Sequence, residues 1–78
     1  MIEDNDIYGN DLTGIEIEDG GNPTVRKNRI NDNAYNAIYI HDSAGGRFED
    51  NDLSGNKWSA WSISEDSESK IIRSGNIE

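Results

Sequence analysis

The 78-residue chain sets 7 Lys and Arg against 16 Asp and Glu, for a net charge of -9. That length allows one small domain, and the acidic excess excludes a nucleic-acid binder, which must meet a phosphate backbone with clustered cations. Cysteine is absent, so there is no disulfide framework, thiolate metal site or catalytic thiol.

Residues 1–10 are acid-rich with no basic or long apolar run, which predicts neither a secretory signal nor a membrane anchor. Ile, Leu, Val and Phe together make up only 15 of the 78 residues. With this net charge, so little apolar mass lies at the boundary of intrinsic disorder. A folded chain must use these residues economically, which points to a repeat.

The repeat is visible in rows of 23. Row one runs through Ile2, Asn5, Ile7, Asn10, Leu12 and Gly14-Ile15-Glu16-Ile17-Glu18. Row two places Val25, Asn28, Ile30, Asn33, Tyr35 and Ala37-Ile38-Tyr39-Ile40-His41 beneath them. Row three supplies Phe48, Asn51, Leu53, Asn56, Trp58 and Ala60-Trp61-Ser62-Ile63-Ser64. One inserted residue then lets Ile72 and Ile77 take the places of Phe48 and Leu53. Each row reads as two or three short strands, with Ile15 and Ile17 inward and Glu16 and Glu18 outward. No stretch sustains a helical stripe, and Gly, Asn, Asp and Ser break the chain every few residues.

Equivalent strands one row apart should pair in parallel, giving an all-β, right-handed parallel β-helix of about three coils. At a strand rise of about 3.3 Å a 23-residue coil has a perimeter of roughly 75 Å, with rows about 4.8 Å apart. Each inward side chain then packs on its equivalents above and below. Residues 1–78 form a single domain on this reading, or a piece of a longer solenoid.

The segments Gly21-Asn22-Pro23-Thr24-Val25-Arg26-Lys27-Asn28-Arg29-Ile30 and Gly46-Arg47-Phe48-Glu49-Asp50-Asn51-Asp52-Leu53 resemble the parallel β-helix repeats of carbohydrate-binding and sugar-hydrolysis proteins. The resemblance is closest to the β-helix of an F-box subunit of animal ubiquitin ligases and its bacterial relatives. It implies the fold. It does not imply the chemistry, because such repeats serve lyases, hydrolases, epimerases and recognition modules alike. No F-box is present, so a ubiquitin role is not implied.

Several columns could carry function. Asn5, Asn28 and Asn51 are expected at a bend that favours left-handed backbone, with their amides forming a ladder; Asn10, Asn33 and Asn56 suggest a second ladder. Charge alternates down Glu3, Arg26, Glu49 and Arg73, down Asp4, Lys27 and Asp50, and down Asp6, Arg29 and Asp52, which would register the coils. Asp19, Asp42 and Glu65 fall in one column without a cation and are the candidate Ca²⁺ ligands. Tyr39 should face outward between Glu16 and Ser62. With Glu18, His41 and Ser64 these residues make the candidate binding face, where an aromatic ring beside carboxylates and hydroxyls suits a sugar. Trp58 and Trp61 are expected to pack.

The functional expectation is therefore a non-catalytic recognition or structural module. Apolar edges at Ile2 and Ile7 and at Ile71, Ile72 and Ile77 should drive self-association by coil stacking, with Arg73 of one copy near Glu3 of the next. The competing expectation is a fragment of a polysaccharide-active enzyme using surface carboxylates, with calcium.

Overall fold

The computed structural model describes residues 1–78. Nine short strands follow one another: β1 (Ile2–Glu3), β2 (Asp6–Tyr8), β3 (Ile15–Ile17), β4 (Thr24–Arg26), β5 (Arg29–Asn31), β6 (Asn36–Ile40), β7 (Gly46–Glu49), β8 (Ser59–Ile63) and β9 (Ile71–Ser74). All pairings are parallel. They build three sheets, ordered β1-β4-β7-β9, β2-β5 and β3-β6-β8. Consecutive strands belong to different sheets, so each circuit turns corners and returns one row lower. The 23-residue spacing is the observed register: Ile2 pairs Val25, Ile7 pairs Ile30, Val25 pairs Phe48 and Ile38 pairs Trp61.

The interior explains how a chain poor in apolar residues folds. Ile15, Ile17, Val25, Ile30, Ala37, Ile38, Ile40, Ala44, Phe48 and Leu53 form one buried cluster, on which Ile2, Ile7, Trp61, Ile63 and Ile71 pack. In the middle rows each inward apolar side chain has a row above and a row below, so Val25, Ile30, Ile38, Ile40, Phe48 and Leu53 are fully covered with few residues, while first-row Ile15 and Ile17 keep a little exposure.

The polar columns are as regular. Asn5 Nδ2 donates to Asn28 Oδ1 (3.1 Å), Asn28 Nδ2 to Asn51 Oδ1 (3.1 Å) and Asn51 Nδ2 to Asn76 Oδ1 (2.9 Å). The backbone N–H of each upper residue donates to the same lower oxygen. Asn10, Asn33 and Asn56 form the second ladder, at 2.7 and 2.8 Å. These amides satisfy backbone groups where the chain bends and strand pairing lapses.

Four expectations need correction. The left-handed residues are not the ladder asparagines but their predecessors: Asp4, Lys27 and Asp50 have φ of 58°, 55° and 56°, and Gly75 takes the fourth position at 69°. Asn is needed one step later, for its side-chain reach into the stack. Second, the last turn gains two residues rather than one, because the 3-10 turn Glu68–Lys70 is inserted after the buried Ser67. Phe48 therefore stands over Arg73, Arg47 over Ile72 and Asp52 over Ile77. Ile72 and Ile77 do not replace Phe48 and Leu53; both are exposed.

Third, Ser74 rather than Arg73 lies opposite Glu49, so that charge column ends at row three. Within it Arg26 and Glu3 form an ion pair at 3.4 Å, whereas Glu49 turns to Arg47 at 3.6 Å. Arg73 instead follows Phe48 and sits 5.1 Å over the Trp61 ring, whose Nε1–H donates to Glu78 (2.9 Å). A cation over the indole face and a carboxylate on its N–H thus share the last layer with exposed Ile72 and Ile77. Fourth, Trp58 does not pack inside: it is 64 % exposed and stacks on Tyr35 at 4.2 Å. Trp61 packs as expected, edge-on to Phe48 at 5.3 Å.

Candidate functional site

The outward face of β3-β6-β8 brings the expected binding residues together. Parallel register sets Glu16, Tyr39 and Ser62 side by side. At the ends of the same strands, Glu18, His41 and Ser64 follow one another at the 23-residue spacing. Inward Ile15, Ile17, Ile38 and Ile40 anchor these strands in the core, so alternation fixes which side chains face out.

His41 is the centre of the face. Its Nε2 lies 2.6 Å from Glu16 Oε2 and 3.3 Å from Glu18 Oε2, while Nδ1 lies 3.2 Å from Asp42 Oδ2. Tyr39 stacks on the imidazole at 4.3 Å and 18°. The hydrogen bond to Glu16 is the main cause that raises the His41 pKa above its ordinary 6.5; burial opposes it, and the charges of Asp42, Glu16 and Glu18 add to it. A raised native pKa stabilises the fold most below the unfolded value, and that contribution is lost as pH rises through the native pKa. NMR titration of this sole histidine should give a midpoint above 6.5, and Glu16→Gln should lower it; a wild-type midpoint at or below 6.5 would show that the contact is not populated in solution.

The remaining expected residues are less convergent. Ser62 has a hydroxyl without a partner in the chain, whereas Ser64 spends its hydroxyl on Asp66 and lies near Ser67. Asp19 and Asp42 occupy left-handed corner positions, at φ of 54° and 56°, and Glu65 is exposed in the altered third turn. Asp19, Asp42 and Glu65 do not gather around a common point; the residues that do are Glu16, Glu18 and His41, whose ligand atoms all lie within 4.8 Å of one another. The 23-residue spacing puts Glu18 above His41, but the diagonal reach of Glu16 and the backward turn of Asp42 depend on side-chain direction.

The column Leu12, Tyr35 and Trp58, which the 23-residue rows align, is exposed along its length rather than packed at Trp58, and immediately precedes the binding face in the lower two rows. Two depressions lie over turns, around Gly9–Asp32–Gly55 and Gly20–Ser43–Lys70, and a third lies at the start of β4, β7 and β9 around Pro23–Gly46–Ile72; none includes Tyr39 or His41. The carboxylates with displaced pKa values are Asp52 and Asp66, both lowered chiefly by hydroxyl donors, from Ser54 and Ser64 respectively.

Stacked parallel rows, one sheet per side and amide ladders at the bends define a β-solenoid. A family model described as a right handed beta helix region matches residues 1–76. The chain belongs to that family, and its fold is the right-handed parallel β-helix of about three coils that the 23-residue repeat predicts. No curated protein and no solved structure gives a match.

Proposed function

We propose that this β-helix is a non-catalytic recognition module that holds neutral oligosaccharide on the outward face of β3-β6-β8 and associates with further copies through its coil ends. The in-register grid of Glu16, Tyr39 and Ser62 beside Glu18, His41 and Ser64 carries this reading. It sets hydrogen-bonding groups at the strand spacing on a flat surface, next to the exposed Tyr35–Trp58 stack. An aromatic face packs on the apolar side of a sugar ring, and the polar row takes its hydroxyls. Net charge of -9 disfavours uronate chains and leaves neutral sugars as the better partners.

A non-catalytic role is supported by the carboxylates. A glycosidase needs one acid held above its ordinary pKa, and the displaced ones here, Asp52 and Asp66, go the other way. Self-association is favoured by Asn5 and Asn10: each donates down its ladder, and neither amide oxygen accepts a bond within the chain. Those oxygens can receive donors from the last layer of another copy.

One NMR series tests both parts. Dilution from millimolar to micromolar protein should shift the amides of residues 2–10 and 71–78 together. Neutral oligosaccharides should then move those of 16–18, 39–41 and 58–64, with or without Ca²⁺. Spectra unchanged on dilution remove the assembly, and spectra unchanged across a panel of neutral and acidic sugars remove the sugar.

A further inference from the structure

We propose that Glu16, Glu18 and His41 form a binding site for a divalent transition-metal ion, with Zn²⁺ the best match. The three side chains present one nitrogen and two carboxylate oxygens, all within 4.8 Å of one another. Zn²⁺ takes such ligands at about 2.0–2.2 Å, which in a tetrahedron sets neighbouring ligand atoms about 3.4 Å apart. The Nε2–Glu18 separation of 3.3 Å already matches that spacing, and the Nε2–Glu16 separation of 2.6 Å needs only a slight opening by an exposed carboxylate. Two carboxylates cancel the charge of a divalent ion, and a fourth position is left open to solvent.

A second observation separates this cluster from an ordinary acidic surface. Asp42 Oδ2 stands 3.2 Å from His41 Nδ1, where it accepts the Nδ1 proton, so that a metal ion displacing the Nε2 proton now shared with Glu16 would meet an Nε2 lone pair aimed at the two glutamates. This carboxylate–imidazole arrangement orients histidine ligands and raises their basicity. Tyr39 stacked at 4.3 Å holds the ring plane. Glu16 and Glu18 flank the inward Ile17, and His41 follows the inward Ile40, so the donors stand on a packed sheet rather than on a free loop. Neutral imidazole suits Zn²⁺, Cu²⁺ or Ni²⁺, while Ca²⁺ and Mg²⁺ take all-oxygen sets. The assignment differs from the Asp19–Asp42–Glu65 calcium column expected from the sequence, and it does not depend on sugar recognition.

The test uses untagged protein, in which His41 is the only imidazole. ZnCl₂ is titrated at neutral pH with the His41 ring nitrogens followed by NMR and the heat by calorimetry. The expected result is one equivalent bound with a shift of the Nε2 resonance, no such shift with CaCl₂ or MgCl₂, and affinity lowered about tenfold in Asp42→Asn. His41→Gln, which changes an outward side chain, should retain the β-sheet circular dichroism and lose stoichiometric binding. Zn²⁺ that leaves Nε2 unmoved at one equivalent, or that binds His41→Gln as tightly as wild type, overturns the assignment.

Discussion

Asn51→Ala should lower stability by about 3 kcal/mol, because one buried amide serves several groups that have no access to water. Asn51 is 1 % exposed. Its oxygen receives Asn28 N–H (3.0 Å) and Asn28 Nδ2 (3.1 Å), and its Nδ2 donates to Val25 O (3.0 Å) and Asn76 Oδ1 (2.9 Å). Truncation strands the Asn28 N–H, and a buried unsatisfied donor alone costs about 1–3 kcal/mol. A domain of this length holds about 4–12 kcal/mol in total, so the loss is a large part of the whole. Asn5→Ala is the control: it removes the exposed top rung and should cost well under about 1 kcal/mol. Urea denaturation of both variants decides it, and equal midpoints would mean that the ladder does not hold the coils together.

The second large effect is expected at Phe48, the biggest side chain with no exposure. It lies under Val25, over Arg73 and edge-on to Trp61. Phe48→Ala should cost about 3–5 kcal/mol, the usual price of deleting a buried ring where the surroundings cannot collapse. Collapse is limited because parallel pairing on both sides fixes the row spacing. Trp61 loses its aromatic neighbour, so the fluorescence of the native variant should also move to the red. A variant with wild-type stability and emission would show that the interior at row three is not closed as described.

Together the two substitutions separate the forces that hold a solenoid of this size. Phe48 reports on apolar area, which is scarce; Asn51 reports on polar satisfaction at the bends, which is abundant. Their columns are distinct, although both touch Val25, through the Phe48 register pairing and the Asn51 bond to its carbonyl. The double variant should therefore show coupling rather than simple addition.

Much of the candidate site was legible in the sequence. Glu16, Tyr39 and Ser62 stand in the order that the 23-residue rows assign them, as do Ile38 and Trp61 in the interior. The last row was misread because a 3-10 turn has no apolar signature: Glu68, Ser69 and Lys70 look like any solvated loop. Shifting the row by two brings Arg73 under Phe48 and Asn76 under Asn51, and extends the ladder by a rung that a one-residue insertion would have hidden. Trp58 was misassigned for a different reason. Its vertical neighbour Tyr35 is aromatic in either environment, and column identity does not say on which side of the wall a column lies.

What the sequence determined by itself is the vertical order: which residues are neighbours across rows, which strand positions face inward and where amides can stack. Those follow from a repeat length and a two-residue alternation, both one-dimensional properties of the chain. Tertiary structure alone decided the corners and the diagonals: left-handed Asp4, Lys27 and Asp50 one place before the ladder, Glu16 reaching across to His41, Asp42 turning back to Nδ1, and the indole of Trp58 outside. These depend on backbone dihedrals at bends and on the rotamers of long side chains, which a spacing pattern does not encode.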